Sequence, residues 1–128
     1  MGLWLRGFEE FFTDLALNPT AACALMDKIV DIKLAYWDTA LDSFGDDILV
    51  AQEADDLGTQ TSSLISLDMY RKLIKPRHKK LSDFIKKKTS GKVRIFLHSC
   101  GNISAFIPDL IDAGVDILNP IQVNAAGM

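Results

Sequence analysis

Three short apolar runs, each suited to a strand covered on both faces, punctuate a chain whose remaining pattern is helical. They are Ile48-Leu49-Val50-Ala51-Gln52, Val93-Arg94-Ile95-Phe96-Leu97 and Val115-Asp116-Ile117-Leu118-Asn119. Strands joined through helices pair in parallel by right-handed crossovers, which confines the chain to the α/β class. Three strands complete no common fold of that class. A (β/α)8 barrel takes about 250 residues, whereas this chain has 128, and a free-standing flavodoxin-like sheet would need about five strands. The alternation therefore predicts a partial (β/α)8 TIM barrel with about three parallel strands and flanking helices. On that reading residues 1–128 are expected to form one unit, truncated at both ends. Such a unit leaves strand edges and apolar helix faces uncovered, which predicts homo-association through the barrel edges.

The helices have local signals. Phe8, Phe11, Phe12 and Leu15 recur at helical spacing over Phe8 to Leu17. Asn18-Pro19 then reads as an N-cap and first helical position. The next helix runs to about Phe44, where Gly45 ends it as a C-cap glycine. Ser66 caps a helix through Tyr70 to Ile74, and Pro76 breaks or kinks it. A further helix, from about Arg77 to Lys88, turns Leu81, Phe84 and Ile85 inward. Its basic stretch Lys75 to Lys80 reads as a solvated face, and His78, between Arg77 and Lys79, as an exposed residue. Ser104 caps a last helix containing Phe106, Leu110 and Ile111, which Gly114 closes.

Composition narrows the function classes. Fourteen basic and 17 acidic side chains give a net charge of −3, which argues against a nucleic-acid surface. No apolar run approaches the length of a membrane span, and the N-terminus lacks the order of a signal peptide. Cys23 and Cys100 make no disulfide framework, which points to a reducing cytoplasm. Cys23, in Ala-Ala-Cys-Ala, reads as a small buried residue. No phosphate-binding glycine fingerprint, nucleophile elbow or CxxC motif occurs.

In parallel α/β folds the reacting groups gather where strands end. The three strand ends carry Asp55-Asp56, His98-Ser99-Cys100 and Asn119-Pro120-Ile121-Gln122, and all three should open onto one face. Imidazole and thiolate one residue apart leave the same side of an extended chain and suit zinc. A packed histidine beside an inert thiol fits the same spacing. Asp55 and Asp56 suit acid/base work, metal ligation or helix capping.

Several segments together resemble the uroporphyrinogen decarboxylase superfamily. They are Leu5-Arg6-Gly7-Phe8-Glu9, Asp14-Leu15-Ala16-Leu17-Asn18-Pro19, Asp55-Asp56-Leu57-Gly58-Thr59-Gln60, Tyr70-Arg71 with Ile74-Lys75-Pro76-Arg77-His78, His98-Ser99-Cys100-Gly101, and Gly114-Val115-Asp116-Ile117-Leu118-Asn119-Pro120. The resemblance runs over essentially the whole chain in the family's order, and implies the central-to-late portion of a (β/α)8 barrel. In the corrinoid-dependent methyltransferase branch a His-x-Cys pair and a distant C-terminal cysteine hold zinc. By that resemblance His98 and Cys100 are metal ligands, with the third ligand outside this chain. Asp55 and Asp56 are then catalytic, while Gln60, Asn119 and Gln122 bind substrate.

The same resemblance implies a zinc enzyme that moves a methyl group between a methylcorrinoid on a partner protein and a small-molecule thiol. Two alternatives stand beside it. One is a uroporphyrinogen decarboxylase, acting on tetrapyrrole acetate groups in porphyrin biosynthesis with no metal or cofactor. Its pattern departs from this chain, where Glu53-Ala54-Asp55-Asp56-Leu57-Gly58 keeps an Asp but lacks the Ser and Trp of Phe-Asp-Ser-Trp-Ala-Gly. The other is a non-catalytic half-barrel that binds a tetrapyrrole-like ligand or a partner chain.

Overall fold

The computed structural model describes residues 2–128. Helices α1 (Gly2–Arg6), α2 (Phe8–Leu17) and α3 (Pro19–Phe44) lead into strand β1 (Val50–Ala54). A connection containing α4 (Leu67–Met69), a π-helical turn (Tyr70–Ile74) and α5 (Lys75–Lys88) returns the chain to β2 (Arg94–His98). A 3-10 turn (Ser104–Phe106) and α6 (Ile107–Asp112) lead to β3 (Ile117–Asn119). The strands form one parallel sheet in the order β1-β2-β3. Sequential order with no reversal is the order of a barrel segment. The fold is a partial α/β barrel.

Alternation along the strands separates two faces. Ala51, Ile95 and Leu97 are buried; Ala51 and Ile95 share a cluster with Trp37 and Leu41 of α3 and Leu81 and Ile85 of α5, and Leu97 belongs to a second cluster with Leu110 of α6. Val50, Gln52, Ala54, Ile117 and Asn119 lie exposed on the opposite face. All the packed helices therefore cover one side, leaving bare the side that a complete barrel would enclose. No helix of the described residues is long and apolar enough to cross a membrane.

Several boundaries differ from the sequence expectation. β1 starts later than Ile48 and ends later than Gln52, because pairing begins at Val50↔Arg94 and carries on to Ala54↔His98. Glu53 is admitted to a covered strand because its carboxylate accepts from Trp37 Nε1 at 3.0 Å and from Lys33 Nζ. β3 begins at Ile117, since Val115 N still bonds Leu110 O, and Asp116 turns its carboxylate to Ile95 N at 2.8 Å. Gly45 ends α3 without left-handed geometry, at φ −57°. Pro76 neither breaks nor stops its helix. With no N–H at residue 76, the carbonyl of Lys72 loses its i+4 donor, and the turn before it widens so that Lys75 N bonds Tyr70 O, five residues back.

The basic stretch Lys75 to Lys80 is in large part an ion-paired contact with neighbouring helices and not a solvated face. Lys75 Nζ meets Asp109 at 2.7 Å and Asp112 at 2.8 Å, Arg77 pairs with Asp27 at 2.8 Å, and Lys80 with Asp31 at 3.1 Å. Arg71 adds a second bond to Asp109 at 2.9 Å. Charge had suggested solvent; the acidic residues of α3 and α6 supply partners instead.

Two outcomes follow. Ile85→Ala removes a fully buried side chain and should cost about 2–5 kcal/mol in urea unfolding. The Lys75 hydrogen bond, against burial and with Arg71 assisting, holds the Asp109 carboxyl below the usual carboxylate range. A depressed folded pKa gives stability that is complete above the unfolded value of about 4 and lost as pH falls through the folded one. Melting curves from pH 6 downward should therefore fall more steeply for the natural chain than for Asp109→Asn.

Candidate metal centre

Register alone places His98 between Ala54 on β1 and Asn119 on β3, three residues in one row across the sheet. The ladders continue one residue further, with Asp55 N donating to His98 O at 3.1 Å and Ser99 N to Asn119 O at 2.9 Å. Extended backbone through Ser99 keeps His98 and Cys100 on one side. Cys100 Sγ lies 3.3 Å from His98 Nε2. His98 Nδ1 is 3.0 Å from Asn119 Oδ1. An amide oxygen only accepts, so Nδ1 carries the proton and the Nε2 lone pair faces the thiol. Asp56 comes over from the β1 loop, where its Oδ1 accepts from Cys100 N at 3.0 Å. Donor atoms of Asp56, His98 and Cys100 lie within 4.8 Å of one another.

This donor set fits zinc. Bonds of about 2.0–2.3 Å to nitrogen, oxygen and sulfur place tetrahedral ligand atoms about 3.3–3.8 Å apart. The Nε2–Sγ pair already has that spacing, and a carboxylate completes three donors of the types zinc takes. The fixed proton on Nδ1 is the outer hydrogen bond that metal-ligating histidines characteristically make.

Gln122 Oε1 accepts from Gly101 N at 2.8 Å, and its Nε2 donates to Gln60 Oε1 at 2.7 Å. These two amides thus tie the three strand-end loops to one another. Ser99, which the sequence reading passed over, is fully buried, and its Oγ accepts from Leu57 N at 3.1 Å. Two glycines allow the loops to touch. A side chain on Gly58 would stand 2.6 Å from Asn102 O, and one on Gly101, at φ +83°, 2.5 Å from Thr59 O. The contact they permit is sealed by Asn102 N donating to Thr59 O at 2.8 Å.

The expectation that both carboxylates open onto the same face is met by Asp56 alone. Asp55 turns toward the helices, and its Oδ2 lies 3.0 Å from His78 Nε2. Burial would raise the Asp55 pKa, but the hydrogen bond and charge of His78 overcome it and hold the carboxyl well below the usual range. His78 is accordingly not an exposed residue. Its side chain is 15% exposed, and its Nδ1 lies 3.2 Å from the hydroxyl of fully buried Tyr70. The charges of Arg77 and Lys79 suggested solvent, yet positions 78, 81, 82 and 85 follow the helical period, and the last three are buried. That periodicity was the available signal.

Gly101→Ala combines a left-handed φ with a backbone clash, and should cost about 2–4 kcal/mol. Urea unfolding measures the loss, and Gly91→Ala, with open space around it despite φ +77°, should cost less.

Compared with known families, residues 2–120 match the one described as Uroporphyrinogen decarboxylase (URO-D). A methylated-thiol–coenzyme M methyltransferase of Methanosarcina mazei is 28% identical over 112 residues, which are 88% of this chain and 28% of that protein. The chain thus spans little more than a quarter of the length of the curated relative it matches. No solved structure matches it.

Proposed function

The chain belongs to the uroporphyrinogen decarboxylase family, and from that membership we propose that it carries the zinc-binding part of a methyltransferase acting between a methylated corrinoid and a thiol. The observation that carries this reading is the convergence of Asp56, His98 and Cys100 donors within 4.8 Å. The relative's name, which pairs a methylated thiol with coenzyme M, supports thiol chemistry. The partners are a corrinoid protein and a small-molecule thiol, and the setting is the cytoplasm.

Zinc bound there supplies a Lewis acid that favours the thiolate form of a substrate thiol, the nucleophilic form. The chain's own residues prepare that site. Cys100 and Asp56 give anionic donors, and His98 gives a neutral one. Asn119 keeps the His98 proton on Nδ1, so that Nε2 stays available. By accepting from Cys100 N, Asp56 also fixes the loop that bears the thiol. Gln60 and Gln122 hold the surrounding loops at the edge of the substrate space.

Chelator competition on the purified chain tests this. The natural chain should bind one zinc, Asn119→Ala should bind about 10–100-fold more weakly, and Cys100→Ser weaker still. Equal zinc content in all three would end the metal reading and put the metal-free decarboxylase ahead.

A further inference from the structure

Tyr70 and His78 stand eight residues apart, and in a regular α-helix about 100° per residue would leave them some 80° out of line. The π-helical turn at Tyr70–Ile74 absorbs one residue, so the pair behaves as i and i+7 and falls within about 20° of one face. In consequence the Tyr70 hydroxyl reaches His78 Nδ1 and the other ring nitrogen reaches Asp55. Tyr70 is fixed in turn by its edge-on contact with Phe106, with ring centroids 5.3 Å apart. Asp55 is the immediate neighbour of Asp56, whose carboxylate holds Cys100 N.

We propose that His78 is a positioning residue: through Asp55 it anchors the end of β1 to the helix layer and so sets where the Asp56 carboxylate stands against Cys100. The two adjacent carboxylates leave the strand on opposite sides, one gripped by a helix and one facing the thiol. With Asp55 held, the backbone that carries Asp56 is fixed at the strand end, and the distance its carboxylate must span to Cys100 N is set. The consequence for metal rests on the reading of Asp56, His98 and Cys100 as ligands. The consequence for the Asp56–Cys100 hydrogen bond does not.

The test follows amide hydrogen exchange of Cys100 in the metal-free chain, and zinc affinity by chelator competition. His78→Leu should speed Cys100 exchange about tenfold, the loss of about one hydrogen bond, while Asn102 N–H, bonded to Thr59 O, keeps its protection. His78→Gln, whose amide can still donate to Asp55, should restore most of it. Zinc affinity should fall about tenfold with His78→Leu. In an Asp56→Ala background the leucine substitution should change neither quantity further, since the effect passes through Asp56. Should His78→Leu not fold, Tyr70→Phe, which keeps the ring and deletes only the hydroxyl, should speed Cys100 exchange about threefold. Unchanged Cys100 exchange in the folded variants, or effects of His78→Leu and Asp56→Ala that simply multiply, would overturn the proposal. Absence of zinc binding by the natural chain would overturn the metal reading alone, and Cys100 exchange would then decide on His78.

Discussion

Backbone register is the constraint from which the rest of the molecule follows. Parallel pairing sets Ala54, His98 and Asn119 level across three strands, and the pleat then dictates which neighbours share a side. Had β3 slipped by one residue, Asn119 would face the helices and His98 would lose the acceptor that fixes its tautomer. The same parity sends Asp55 backward and returns Asp56 to the front. Small residues in the loops matter for a related reason: Gly58 and Gly101 let the β1 and β2 loops approach closely enough for one loop's amide to reach the other's carbonyl.

Much of this was legible in the chain. The three apolar runs, the Asn18-Pro19 helix start and the Ser66 cap are local signals, and each appears where local chemistry requires it; Ser66 Oγ, for instance, accepts from Met69 N at 3.1 Å. The clustering of Asp56, His98, Asn119 and Gln122 was legible too, because parallel strands bring their C-terminal ends together. What stayed hidden depends on partners distant in sequence. Nothing near Lys75 announces Asp109, and nothing near Asp55 announces His78. Strand parity sorts the two adjacent aspartates to opposite layers, but the partner that each meets there lies far away in sequence.

Polar groups beneath the sheet show how the helix layer is admitted to an α/β core. Glu53 would be costly on a covered strand, but Lys33 and Trp37 of α3 satisfy both its oxygens. Asp109 is buried on α6 with Arg71 and Lys75 upon it. Each such group couples a helix to a strand or to another helix through a directional bond, where apolar contact alone would allow sliding. The helices are thereby fixed in rotation as well as in distance.

Every strand pairs with the next one in sequence, so the groups that orient the candidate site are spread along the chain in strand order. The pairing of β1 with β2 brings the imidazole and the thiol beside Asp56, but neither strand supplies an acceptor for His98 Nδ1. Asn119 and Gln122, from β3 and the loop after it, commit the imidazole to one tautomer and give the Gly101 amide its acceptor. The donor set therefore belongs to three consecutive strands together: a piece of the chain ending before β3 would keep every donor atom and lose the groups that orient them.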